Sequence, residues 1–168
     1  MRSSDLVVRD ATAADAAACA ALYAPYVATT TVSFEEEPPD AAEMARRIAA
    51  AQEHHAWLLA ERDGRLVGYA YAVPFRARSA YRHTCEVSVY VDASAHGQGI
   101  GRTLYTALLD RMRAGGMRLA VGGATMPNGA SERLHRALGF EVVGTFREVG
   151  FKQGRWCDVT WFQKPLVD

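Results

Sequence analysis

The spacing of apolar residues changes along the chain, and each change predicts an element. Leu6-Val7-Val8-Arg9 is a short β-branched run and predicts a first strand. Thr12 with Asp15 three residues on resembles a capping box, so a helix is expected from Ala13 to about Val27. Residues 28–39 are polar and end in Pro38-Pro39, so no regular element is expected there. Asp40 and Glu43 open a second helix, to about Glu53. Trp57–Glu61 and Leu66–Val73 read as strands joined by an Asp63-Gly64 hairpin turn. A loop with three arginines and two aromatics follows, Pro74 to Arg82, and then a long strand, Glu86–Val91.

After that strand, Gly97, Gly99 and Gly101 form a turn with no acidic residue beyond Asp92. Leu104, Leu108 and Met112 then fall at i, i+4 and i+8, the stripe of an amphipathic helix ended by Gly115-Gly116. Leu119-Ala120-Val121 is a strand parallel to the one before, because a helix lies between them. Asn128 opens a last helix with Gly139 as its C-terminal cap. Phe140–Val149 and Trp156–Gln163 form a closing hairpin turned at Lys152-Gln153-Gly154. The order predicts an α+β fold, mixed but mostly antiparallel, with about seven strands and four helices in a single domain, 1–168.

Strand, glycine turn and helix aim free backbone N–H groups at an anion, and glycines let it approach the main chain. Arg102 adds a positive charge. The spacing Gly97-x-Gly99-x-Gly101 is not the G-x-G-x-x-G of dinucleotide folds, and no Gly-Lys-Ser/Thr is present. A pyrophosphate held without lysine or metal fits, and coenzyme A carries one. A ligand-free connecting loop is the other reading of this stretch.

Composition narrows the classes. Lys+Arg and Asp+Glu are both 19, so no basic excess points to nucleic acid. Cys19, Cys85 and Cys157 are odd in number and far apart, with neither disulfide nor zinc spacing, so a reducing, cytoplasmic setting is expected. Met1 to Asp10 lacks an apolar signal core, and no run approaches the roughly 20 apolar residues of a membrane helix. His54-His55, and His83 with Cys85, do not make a metal site, so no metal is expected.

The motifs go further. Ser33-Phe34-Glu35, Pro74-Phe75-Arg76-x-Arg78, Ala80-Tyr81-Arg82, Ser88-Val89-Tyr90-Val91, the Gly99-x-Gly101 turn, Leu104-Tyr105-Thr106, Pro127-Asn128, Leu134-His135-x-Ala137-Leu138-Gly139-Phe140 and Val149-Gly150-Phe151-Lys152 are all present. Together they resemble the GNAT family of acetyl-CoA-dependent N-acetyltransferases, and within it the phosphinothricin N-acetyltransferase group. The likeness runs from about Leu6 to Pro165.

The resemblance implies a coenzyme site at Val89, Tyr90, Val91, His96, Gly97, Gln98, Gly99, Ile100, Gly101 and Arg102, with Asn128 and Ser131 along the pantetheine arm. Asn128 is equally a helix N-cap, and both roles can hold together. Where the family usually has Gln or Arg at the head of the turn, this chain has His96, which implies weaker coenzyme binding. The position of the family's helix tyrosine, which protonates the leaving thiolate, is occupied by His135, an acid, a proton shuttle or a packed histidine.

Amide formation from a thioester needs an amine without its extra proton, a stabilised carbonyl oxygen and a departing thiolate. Glu86, a carboxylate opening an apolar strand, is either an ion-paired strand end or, as the resemblance implies, the base. The oxyanion donor implied is a backbone N–H near Val89. Arg76 and Arg78 alternate in an extended loop and can converge on one anion. With Phe34, Glu35 and Tyr81 they are the acceptor residues the resemblance implies. The acceptor implied is an α-amino acid with a tetrahedral head: phosphinothricin, methionine sulfoximine or methionine sulfone. A homodimer is implied as well. Other amines, such as a protein N-terminus, and a silent acetyl-CoA-binding domain stand as alternatives.

Overall fold

The structure is a computed structural model and describes residues 5–168. Residues 1–4, part of the N-terminal stretch read above for a signal core, lie outside the described residues. Seven strands form one sheet: β1 (Val7–Asp10), β2 (Ala56–Arg62), β3 (Arg65–Pro74), β4 (Thr84–Val91), β5 (Leu119–Met126), β6 (Glu141–Lys152) and β7 (Arg155–Pro165). Four helices accompany them: α1 (Ala16–Thr29), α2 (Ala41–His54), α3 (Ile100–Ala114) and α4 (Gly129–Ala137). The spatial order is β1-β2-β3-β4-β5-β7-β6, and only β4 and β5 run parallel. That follows from chain connection: α3 is the crossover between them, while tight hairpins join β2 to β3 and β6 to β7.

Side-chain alternation along the strands divides the core into two layers. On one face Cys85, Val87 and Ala120 pack under Leu104, Leu108 and Met112 of α3. On the other, Trp57, Leu59 and Tyr69 pack under Cys19, Leu22 and Val27 of α1 and Met44 and Ile48 of α2. The turn residues behave as their chemistry demands. Asp63 and Gly64 both have positive φ, 54° and 74°, as do Gln153 and Gly154, 54° and 73°, the signature of tight two-residue hairpins. Asp40 caps α2 through its carboxylate, which accepts from the Glu43 N–H at 2.8 Å.

Two elements outrun their sequence signals. β5 continues to Met126 instead of stopping at Val121, because Gly122 and Gly123 interrupt the pattern without breaking the strand. Their missing side chains are filled by neighbours: a Cβ on Gly122 would lie 3.0 Å from His135 Nε2, and one on Gly123 3.3 Å from the Trp161 ring. β6 reaches Lys152 through register shifts at Val142/Gly144 and Phe146/Gly150. There Lys152 is buried and donates to the carbonyls of Val27 at 2.7 Å and Ser33 at 2.6 Å. Arg155 donates to Thr31 at 2.7 Å. The tip of the β6–β7 hairpin thereby pins the irregular segment after α1.

Candidate active site

β4 and β5 are paired only at Thr84–Leu119, Cys85–Ala120 and Glu86–Val121. Beyond Glu86 they part. The opening leads into a cavity of about 460 Å³ bounded by Val87–Val91, the glycine turn, and Asn128, Ser131 and His135 of the α4 segment. None of its lining residues is acidic. Gly97 and Gly99 both have φ of 77°, a conformation that turns successive N–H groups to one side and that side chains with a Cβ resist. Gly99 is the N-cap of α3, so the positive end of that helix points at the same place. These donors suit a pyrophosphate, and the unpaired edge of β4 suits an amide-bearing arm.

Of the twelve residues expected here, eleven line the cavity, in varied ways. Ile100 is 1% exposed and packs into the core, so it can offer a ligand only its backbone. His96 is tied inward, its Nε2 2.9 Å from the Tyr26 hydroxyl and 3.1 Å from the Val91 carbonyl, which fastens the turn to α1 and β4. Gln98 does not line the cavity: its side chain accepts from Arg62 of the β2–β3 hairpin. Asn128 caps α4, accepting from the Ser131 N–H at 3.0 Å, and also faces the cavity, so cap and ligand contact are compatible.

His135 is 3% exposed and stacks on Phe162 at 4.6 Å. Its Nδ1 lies 2.7 Å from the Ser131 carbonyl. A carbonyl only accepts, so Nδ1 carries the proton and Nε2 is a bare lone pair. Nε2 is buried and has no partner among the described residues. Burial holds the ring below the ordinary histidine range, against the opposing hydrogen bond, so it is neutral at pH 7. In this tautomer His135 can take a proton and cannot give one.

Glu86 stands at the last paired position before the opening, on the sheet face away from α3. Val73 lies directly across from it on β3, and Ser88 lies across from Tyr71. Burial raises the Glu86 pKa, and the nearby Arg76 guanidinium partly offsets that rise. On the same face Phe75, Arg76, Val121 and Trp161 line a cavity of about 440 Å³. Arg76 sits over the Phe75 ring at 4.6 Å, and Tyr81 meets that ring edge-on at 5.8 Å. Arg78 lines a different concavity, shared with Arg76. Phe34 packs where Gly150 leaves room on β6. Glu35 is engaged: Arg47 grips both its oxygens, at 2.6 and 3.0 Å, and the Tyr23 hydroxyl donates to it.

Sequence reasoning missed three residues of this region. Tyr105 is 2% exposed, lines the cavity at the β4–β5 opening and meets the His135 ring edge-on at 5.7 Å. Its signal was its place on the buried stripe of α3, beside Leu104. The contacts of Arg47 with Glu35 and of Lys152 with Val27 and Ser33 span 12 or more residues, so no local pattern announced them.

The acetyltransferase (GNAT) domain family matches residues 8–161. The chain is 48% identical over 162 residues to a phosphinothricin N-acetyltransferase of Alcaligenes faecalis, spanning 95% of this chain and 81% of that protein. It is 39% identical to an L-methionine sulfoximine/L-methionine sulfone acetyltransferase of Pseudomonas paraeruginosa, over 95% of this chain and 94% of that one. Among solved structures, a GNAT superfamily phosphinothricin acetyltransferase from Sinorhizobium meliloti in complex with acetyl-CoA superposes with a TM-score of 0.92 at 39% identity, covering 95% and 88% of the two chains. Fold, glycine turn and relatives agree, and the chain belongs to the GNAT family as an N-acetyltransferase that uses acetyl-CoA.

Proposed function

We propose that the enzyme acetylates the α-amino group of phosphinothricin or of related amino acids such as methionine sulfoximine and methionine sulfone. The observation that carries this reading is the position of Glu86. Its chain neighbour Val87 lines the coenzyme cavity, and its β5 partner Val121 lines, with Arg76, the cavity read here as the acceptor's. Acetyl-CoA, when bound, supplies an activated acetyl group as a thioester. Glu86 takes the proton of the acceptor ammonium, through water, and its raised pKa brings it nearer the amine's. A backbone N–H near Val89, on the β4 edge that β5 leaves, steadies the carbonyl oxygen as charge develops. His135 receives at Nε2 the second proton that the amine nitrogen loses as the amide forms, and passes it on to the departing thiolate or to solvent. A thiol with a pKa of about 8.5 leaves as a thiolate without a strong acid. The Arg76 guanidinium holds the anionic end of the acceptor. Phe34 and Tyr81 bound the acceptor, and Glu35, held by Arg47, shapes its loop.

Thiol release from acetyl-CoA against L-phosphinothricin, L-methionine sulfoximine, L-methionine sulfone, L-methionine and a peptide N-terminus tests the reading. Turnover confined to the tetrahedral-headed amino acids upholds it; turnover on the peptide alone removes the acceptor assignment. Arg76→Gln carries a pH signature. Loss of a charge that favours the carboxylate raises the Glu86 pKa further. The acid limb of kcat/KM therefore moves to higher pH; a limb that stays in place would show that Arg76 does not act on the base.

We further propose a homodimer built on β6. This edge strand exposes Val142, Val143, Phe146, Val149 and Phe151, with Trp156 beside them. An apolar edge of this kind invites pairing, and a second copy seated there also covers the acceptor cavity, which Val143 and Phe146 line. Phe146→Asp is expected to yield a monomer by sedimentation. A wild-type chain that sediments as a monomer at micromolar concentration would remove the proposal. One sheet carrying every described strand supports reading 1–168 as one domain. Three buried, free cysteines support a reducing compartment, the cytoplasm, and neither nucleic acid nor membrane enters the reading.

A further inference from the structure

A thiolate that departs from acetyl-CoA gathers its charge on sulfur, and a fixed donor beside the sulfur lowers the barrier. The transferred carbonyl must lie where the coenzyme cavity comes nearest to Glu86, at the end lined by Val87. The sulfur is bonded to that carbonyl carbon, so it lies there too. His135 faces the same end: a Cβ on Gly122 would stand 3.0 Å from its Nε2 and 3.6 Å from the Val87 carbonyl oxygen. That Nε2 is a bare lone pair and a carbonyl only accepts, so neither can donate as the C–S bond begins to break. Tyr105 stands at this end as well, from the buried stripe of α3, edge-on to the His135 ring. The ionisable groups that reach its hydroxyl are Glu86 and Cys85, at the paired end of β4, and Tyr71, across from Ser88. The hydroxyl therefore points to the floor of the opening and away from the glycine turn. It forms no hydrogen bond among the described residues. Tyr26 and Ser131, on the same cavity, engage theirs with the Val91 carbonyl and with His135. Nor is it one of the sealed, unpartnered polar atoms, which are His55 Nε2, Trp57 Nε1 and His135 Nε2 among the described residues. A hydroxyl without a partner, on a nearly buried tyrosine and still open to the cavity it lines, is placed for an atom of the ligand.

We propose that Tyr105 is a catalytic residue whose hydroxyl donates a hydrogen bond to the thioester sulfur as the acetyl group leaves it. The amine nitrogen bonds to the carbonyl carbon, the C–S bond breaks, and its electron pair stays on sulfur. The phenol meets that charge with a donor and keeps its own proton. Glu86 takes the first proton of the amine and the second goes by way of His135, so none is drawn from Tyr105. Burial suits the role, because it holds the phenol far above its ordinary range and so keeps it neutral. A thioester sulfur accepts hydrogen bonds weakly and a thiolate strongly, so the contact tightens on the way to the transition state. An interaction of that kind raises kcat, where uniform binding would not. The proposal rests on acetyl-CoA lying in this cavity and does not depend on which amine is acetylated.

The test is Tyr105→Phe in the full chain, which keeps the ring against His135 and Phe140 and removes only the hydroxyl. The expected result is a fall in kcat of about 10- to 100-fold, the loss of one charge-assisted bond, with the KM for acetyl-CoA little changed. The thermal midpoint should hold or rise, because a hydroxyl without a partner adds nothing to folding. A second readout is one that a merely structural tyrosine would not move. CoA is bound to each protein and its thiol titrated by the ultraviolet absorbance of the thiolate, with desulfo-CoA as the blank. The bound thiol should titrate about one to two pH units higher in the variant than in the wild type, because the thiolate has lost its donor. Unchanged kcat would remove Tyr105 from the chemistry. A lower kcat with an unmoved thiol titration would place the hydroxyl away from sulfur and overturn the assignment equally. CoA bound as tightly by Gly99→Val as by the wild type would instead remove the reading of the cavity, and the proposal with it.

Discussion

Glu86→Gln is expected to lower kcat by roughly 10²- to 10⁴-fold, the range for removing a general base. The KM for acetyl-CoA should hardly change, because Glu86 does not line the coenzyme cavity. The amide has the shape of the carboxylate but cannot take the ammonium proton. The acid limb of the wild-type profile should vanish, and residual activity should climb with pH as free amine accumulates. Stability moves the other way. An acid whose folded pKa is raised contributes nothing when both states are protonated, below the unfolded value of about 4.5. It destabilises the folded protein once pH passes the folded pKa. At neutral pH the glutamine relieves that cost, so the thermal midpoint should be equal or higher. Low activity with an intact or raised midpoint separates lost chemistry from lost fold. Near wild-type turnover at pH 7 would remove Glu86 as the base.

Gly99→Val is expected to raise the KM for acetyl-CoA by about 10- to 100-fold, with a smaller effect on kcat. Gly99 holds φ of 77° at the N-cap of α3. A β-branched residue in that left-handed region costs at least about 1–2 kcal/mol. Nothing lies within 4 Å of a Cβ added there, so the cost is conformational, not a clash. The chain relieves it by rotating the turn, which swings N–H groups away from the anion. Losing one charge-assisted bond of about 1.5–3 kcal/mol already accounts for the change. Gly64→Val is the control: a similar positive φ, 74°, with the same open surroundings, in a hairpin turn that does not line the cavity. It should lower stability and leave the KM alone. An unchanged KM in the Gly99 variant would show that the turn does not hold the coenzyme.

The sequence by itself determined the features that are local. The α3 stripe of Leu104, Leu108 and Met112, the Asp63-Gly64 turn, the caps at Asp40 and Asn128 and the glycine turn before α3 all depend on neighbours within four residues. Period and backbone preference report such contacts directly. The carboxylate of Glu86 was visible in its apolar strand, but its reading as a base came from the family resemblance and not from any local pattern. The tertiary structure decided the rest. It carried β5 through Gly122 and Gly123 and parted it from β4 beyond Glu86. Tyr105 came to the coenzyme cavity, Glu35 to Arg47, and Lys152 to the end of α1. Arg76 and Arg78, two residues apart in an extended loop, both came to one concavity, and Arg76 alone also lines the cavity beside Trp161. Each of these outcomes depends on groups distant in the chain, or on the exclusion of water by packing. Neither leaves a period in the sequence, and so the chemistry at each position was set only when the sheet and helices closed around it.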